Sequence, residues 1–173
     1  MTYFSGFCLH DEEALFERFL MRNDFCVAGF SYGAIKALNY ALTSQKRIDT
    51  LQLFSPAFFH DKDAKFKKLQ TLSFSKNQDA YSETFLKNVA SPSTTDMSRY
   101  FKQGSLEELS ELLHYTWQPS ELQTLVERGI NIEVYVGECD TIIDAMAVKE
   151  FFVPYATVYY LKKVGHTLHE SFS

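Results

Sequence analysis

Cysteine is scarce in this sequence: Cys8, Cys26 and Cys139 are the only three in 173 residues. The number is odd, no two are close in sequence and no Cys-x-x-Cys occurs. A disulfide framework and a cysteine-based zinc site are both disfavoured, and all three are read as reduced. Long apolar runs are missing as well. None approaches the roughly 20 residues that cross a bilayer, so no membrane association is expected. The opening MTYFSGFCLHDEEALF has no basic segment followed by an apolar one, so no secretory signal is read there and a cytoplasmic location is expected. Internal repeats and low-complexity tracts are absent. Basic residues are outnumbered, 17 Lys and Arg against 22 Asp and Glu, and the net charge of −5 argues against general nucleic-acid binding.

Apolar and aromatic residues are plentiful, at 46% and 16% of the chain. That supply, over this length, fits one domain around one core. Charge is unevenly spread. Lys62, Lys65, Lys67, Lys68, Lys76, Lys87, Arg99 and Lys102 are eight basic residues in a stretch with four acidic ones; the remainder has nine basic against eighteen acidic. A net-positive segment in an acidic protein is either a solvated helical surface or a face for an acidic partner.

Short apolar runs alternate with helical patterns. Strands are expected at Thr2–Ser5, Phe25–Phe30, Asp49–Phe54, Ile130–Val136 and Ala156–Leu161. Helices are expected at Asp11–Arg22, with Asp11 as N-cap, and at Tyr32–Thr43, Glu121–Arg128 and Asp144–Phe152. This alternation implies an α/β fold with a mainly parallel sheet of about five strands and helices on both faces. Residues 58–118 break the rhythm with short helices and Ser/Pro/Thr-rich turns, and read as a helical lid inserted between two strands.

The sharpest motif is Gly29-Phe30-Ser31-Tyr32-Gly33, placed between the apolar run FCVAGF and the helical run YGAIKALNYALT. Gly-x-Ser-x-Gly at a strand-to-helix turn is a nucleophile elbow, in which the glycines keep Cβ atoms out of tight packing around a strained serine. The competing reading is a serine N-cap flanked by glycines. A serine nucleophile needs a base and the base needs an orienter, in the chain order Ser, Asp/Glu, His for this kind of sheet. Asp140 ends the run INIEVYVGECD and His166 follows the last strand in YYLKKVGHTLHE. Both fall at carboxyl ends of strands, where open α/β sheets place their sites. Glu138 and Asp144 rival Asp140, although Asp144 looks like a helix N-cap. His169 rivals His166, but is expected a turn into a last helix. His166-x-x-His169 has no third metal ligand spaced near it. His10, His60 and His114 are read as surface or lid residues. For the developing oxyanion, the backbone N–H groups of Tyr32 and of Phe7, in the Ser5-Gly6-Phe7-Cys8 loop, are the candidate donors.

The ordered set FSGF, GFSYG, GECD and VGH resembles the α/β-hydrolase fold over nearly the whole chain, with Ser5-Gly6-Phe7 similar to the His-Gly-Trp type of oxyanion loop. The chain differs in its brevity, with one helix between its first strand and the nucleophile strand. Its length, YFSGF and GFSYGA resemble the short pimeloyl-acyl carrier protein methyl ester esterases of biotin synthesis, the BioV type, related to BioG. The resemblance implies hydrolysis of that methyl ester by Ser31, His166 and Asp140 without metal or cofactor; a thioesterase or general short-chain esterase on the same three residues, or a non-catalytic hydrolase-like binding protein, is the alternative. It implies an acidic acyl carrier protein as partner, met by the basic residues between Lys62 and Lys102. The sequence leaves the oligomeric state open, with a monomer expected. Phe58, Phe59, Phe66, Leu69, Phe85 and Tyr100 are candidates to line an acyl channel or to pack the lid.

Overall fold

The computed structural model describes residues 1–170 of the chain. Its centre is a parallel sheet of five strands, β1 (Thr2–Phe4), β2 (Cys26–Phe30), β3 (Thr50–Phe54), β4 (Asn131–Gly137) and β5 (Thr157–Leu161), in the order of the chain. Register is continuous across the centre: Gly29 pairs with Leu53, and Leu53 with Val134. The three inner strands are almost wholly buried, which is why they read as mostly apolar runs; the polar Gln52 and Glu133 within them meet each other, the Gln52 amide donating to the Glu133 carboxylate at 2.8 Å.

Side-chain alternation divides the core in two. Val27, Leu51, Leu53, Ile132 and Val134 face one way, toward α1 (Tyr32–Thr43), and share a core with residues of four later helices described below. Ala28, Phe30, Phe54 and Tyr135 face the other way. There Phe16 stacks on Phe54 with ring centroids 4.7 Å apart and lies 4.8 Å from Phe30.

The second face is covered differently from expectation. Asp11–Arg22 is not an α-helix; only Glu12–Phe16 forms a 3-10 turn. Asp11 has φ 55° and caps nothing with its side chain. Glu12 turns inward to the backbone of the preceding loop, and the Phe16 carbonyl accepts both the Phe19 and Leu20 N–H groups, closing the chain early. Leu15, Phe16, Phe19 and Leu20 still reach the sheet, so the apolar spacing was satisfied without a regular helix. This connection and α1 each move one strand in the same direction but lie on opposite faces, so the two crossovers have opposite hands.

Between β3 and β4 the chain runs through α2 (Ala64–Lys76), α3 (Gln78–Ala90), a 3-10 turn at Ser98–Tyr100, α4 (Leu106–His114) and α5 (Pro119–Glu127). Each of α2, α3 and α4 starts at a side-chain cap, from Asp63, Asn77 and Ser105, and Ser105 forms a full capping box with Glu108. After β4, α6 (Ala145–Phe152) is capped by Asp144 as expected. Among the described residues no helix follows β5. His169 lies beyond a turn at residues 166–168 and just before a bridge of Val164 to Glu170, not a turn into a helix; residues 171–173, where a last helix was expected to continue, lie outside the described residues.

Candidate active site

Ser31 occupies the corner between β2 and α1 with φ 53° and ψ −114°, a left-handed conformation that L-residues avoid. The corner is tied on both sides: Ser31 N–H donates to the Phe54 carbonyl at 2.9 Å, and its own carbonyl accepts from Ala34 at 3.0 Å and Ala57 at 3.1 Å. A Cβ on Gly29 would stand 2.2 Å from the Gly33 oxygen, and one on Gly33 would stand 1.9 Å from the Phe4 oxygen. Only glycine permits β2, α1 and the end of β1 to meet this closely. The Ser31 hydroxyl makes no helix-capping bond, which removes the N-cap explanation of the motif.

Asp140 and His166 are brought together from the loops after β4 and β5. His166 Nδ1–H donates to Asp140 Oδ2 at 2.6 Å, with both side chains fully buried. Asp140 Oδ1 accepts the N–H groups of Ile142 at 2.8 Å and Ile143 at 3.1 Å, so both carboxylate oxygens are engaged and the group is held in one orientation. The His166 ring packs on Phe30, next to Ser31, with centroids 5.0 Å apart. Its carbonyl accepts the Ser55 hydroxyl at 2.7 Å, a support from the end of β3 that the sequence did not suggest. His166 Nε2 is buried without a hydrogen-bond partner, so a Ser31-to-His166 hydrogen bond is not formed in this state. Such contacts are often long before substrate binds.

The rivals lie elsewhere. Glu138 reaches the Lys163 N–H at 3.4 Å, Asp144 caps α6, and His169 bonds the Thr167 carbonyl. His10 pairs with Asp11, His60 accepts the Trp117 N–H, and His114 bonds the Ser110 carbonyl. Among the described residues no three His, Cys, Asp or Glu side chains converge as a metal site.

Neither the Phe7 nor the Tyr32 N–H donates to a protein acceptor among the described residues. Tyr32 begins α1, where the first amides have no intrahelical partner and the dipole is positive. Its hydroxyl donates to Glu111 of α4 at 2.6 Å, and burial with that acceptor pushes the phenol well above its ordinary range. Phe7 packs on Phe74 and Phe85, joining its loop to α2 and α3.

A cavity of about 220 Å³ runs from Phe7 to Thr141 and Ile142, the two residues that follow Asp140 in sequence, under the inserted helices. Phe59, Phe66 and Phe85 line it together with Leu109 and Leu112. The other channel candidates do not: Phe58 is packed on His60 and Phe151, Leu69 faces outward and Tyr100 belongs to the core on the opposite face of the sheet.

No family model matches the chain, and no curated protein matches it in sequence. Solved structures do match in fold. A carboxylesterase of the thaumarchaeon Nitrososphaera gargenis aligns at 19% identity and TM-score 0.56, over 91% of this chain and 65% of that one. Carboxylesterase CesB of Bacillus subtilis aligns at 16% and 0.56, over 83% and 53%. BioG of Haemophilus influenzae aligns at 13% and 0.57, over 96% and 87%. The chain therefore spans between half and two thirds of the length of the two carboxylesterases, and most of BioG. A five-stranded parallel sheet with an elbow serine after β2 and a helical insertion before β4 gives this chain the α/β-hydrolase fold.

Proposed function

We propose that this chain is a serine ester hydrolase with Ser31 as nucleophile, His166 as general base and Asp140 as its orienter. One observation carries the reading. A strained serine whose hydroxyl makes no capping bond follows Phe30, on whose ring packs a buried imidazole with its Nδ1 held by a carboxylate and its Nε2 unspent. Asp140 fixes the tautomer that leaves Nε2 free to accept the Ser31 proton as Oγ attacks the ester carbonyl. The Phe7 and Tyr32 N–H groups hold the oxyanion. His166 then protonates the departing alcohol, water attacks the acyl-enzyme with the same base, and the acid is released with Ser31 restored.

Within that class we propose the methyl ester of pimeloyl-acyl carrier protein as substrate, giving methanol and the free ω-carboxylate for biotin synthesis. The likeness of the fold to BioG over nearly the full length of both chains supports this. So do the apolar cavity between Phe7 and Thr141 and the charge of α2. Of the eight basic residues, Lys62 and Lys87 are committed to Asp61 and Glu83, Arg99 lies over Tyr100, Lys102 lies by the edge of β1 and Lys67 is half-buried. Lys65, Lys68 and Lys76 are exposed on one stripe of α2, around Leu69 and Leu72, which are 51% and 54% exposed. Cations framing exposed leucines suit an acidic helix with apolar residues of its own, which is the docking expected of a carrier protein.

Mass spectrometry of methyl-pimeloyl carrier protein incubated with the chain tests both levels. Loss of one methylene mass with the carrier linkage intact is the expected result. Release of the free carrier thiol would make the chain a thioesterase, and no Ser31-dependent change would remove the carrier substrate.

A further inference from the structure

The Phe7 amide stands on a loop of unusual shape. Cys8 and Asp11 both have positive φ, 59° and 55°, so the segment is not held by its own backbone preferences. Gly6, the residue before Phe7, has the widest conformational freedom of any residue type. It is pinned at both ends. Its carbonyl accepts the Leu9 N–H at 3.3 Å, and its N–H donates to Glu12 Oε1 at 2.8 Å.

Glu12 is a conspicuous residue to find there. It is completely buried, its Oε1 also accepts the Tyr3 hydroxyl at 3.2 Å, and its Oε2 has no partner among the described residues. A buried carboxyl with half of its acceptor capacity unused is costly, and burial pushes it above the ordinary carboxylate range. Packing alone asks only for a side chain of this size. What the carboxyl adds is an acceptor for the one amide that, together with the Leu9 contact, fixes the direction of the Gly6–Phe7 peptide. The Phe7 N–H is left unspent by that arrangement.

We propose that Glu12 is a positioning residue of the oxyanion hole, acting through the Gly6 N–H to hold the Phe7 amide in its working orientation. The proposal rests on Ser31 being the nucleophile and Phe7 an oxyanion donor. Glu12 touches no reacting atom, so its removal lowers transition-state stabilisation and leaves ground-state binding alone.

The test compares Glu12→Gln, which keeps an amide oxygen for Gly6, with Glu12→Met, which keeps the volume and removes the acceptor. On a soluble p-nitrophenyl ester, E12M is expected to lower kcat by about 30- to 100-fold with KM little changed. Its inhibition by a trifluoromethyl ketone is expected to weaken by a similar factor, while E12Q stays within about 5-fold of wild type. Equal losses in the two variants, or an unchanged kcat and inhibitor affinity in E12M, would overturn the assignment. A second measurement needs no variant. In 15N-labelled wild-type protein the Phe7 amide is expected to shift on ketone addition while the Gly6 amide stays protected from exchange. An unmoved Phe7 or a freely exchanging Gly6 would overturn it too. Fluorophosphonate labelling separates the levels: wild type that does not label at Ser31 removes the nucleophile itself. Labelling at equal rates in wild type and E12M removes only the role of Glu12.

Discussion

His166 Nδ1 and Asp140 Oδ2 stand 2.6 Å apart with no solvent access to either side chain, while the opposite nitrogen of the same ring bonds nothing. An imidazole held by one edge and idle at the other can accept a proton there, and under the proposed function Ser31, the residue after the Phe30 ring that His166 packs on, would supply it.

Ser31→Ala is expected to lower ester hydrolysis by at least about 10⁴-fold. The hydroxyl makes no capping bond, so stability should stay within about 0.5 kcal/mol of wild type in urea titrations. Appreciable turnover by a folded S31A protein would refute the assignment.

Asp140→Asn keeps the shape of the carboxyl but favours the wrong histidine tautomer, and kcat is expected to fall by about 10⁴-fold. Asp144→Asn and Glu138→Gln should leave kcat within a few fold, since one caps α6 and the other meets the Lys163 N–H. Steady-state kinetics on the three variants decides the orienter. Comparable losses in all three would point to a general charge effect.

Gly33→Ala would place a methyl carbon 1.9 Å from the Phe4 oxygen, a backbone atom, and a Cβ fixed directly to its own backbone cannot turn aside from it. The variant is expected to lose about 3 kcal/mol or more of stability, or to part β1 from α1. Thermal unfolding and activity should fall together. A variant as stable as wild type would contradict the packing of the elbow.

Lys65→Glu, Lys68→Glu and Lys76→Glu combined should raise KM for a carrier-protein substrate by about 10-fold or more, through loss of steering and contact charge. A short soluble ester should be hydrolysed as before, and the wild-type preference for the carrier substrate should weaken with added salt. Equal effects on both substrates would remove α2 as the docking face.

The Glu12 carboxyl titrates above its ordinary range in the folded chain because burial disfavours its charged form. The folded state then holds this proton more tightly than the unfolded chain. The stability so gained is complete below the ordinary glutamate value and is lost as pH rises through the raised folded value. The groups that face it are the Tyr3 hydroxyl, the Gly6 N–H and the Ser5 hydroxyl. Glu12→Gln has no such proton to lose. Urea midpoints measured across this interval should therefore fall with pH in wild type relative to E12Q; parallel curves would refute the shift.

Much of the architecture is local information. The inner strands are legible because burial on both faces makes them mostly apolar, and α1 because an Ala- and Leu-rich run starts directly after the elbow. Asp144 announced its helix because a carboxylate before an apolar run has free amides to accept. The segment after Asp11 misled for a physical reason: Leu15, Phe16, Phe19 and Leu20 carry a helical spacing, but a 3-10 turn followed by a folded-back chain lays the same side chains on the sheet. Period alone does not separate the two.

What the sequence determined by itself was the order of the chemistry, a serine between glycines at a strand-to-helix turn followed by an acid and a histidine after later strands, because these depend on neighbours along the chain. The tertiary structure decided which acid meets His166, that Ser55 supports the histidine loop, which lysines face outward on α2 and that Glu12 turns in to Gly6. Each of these is a contact between residues distant in sequence or a direction of a side chain in space, set by how the loops at one end of the sheet fold over one another.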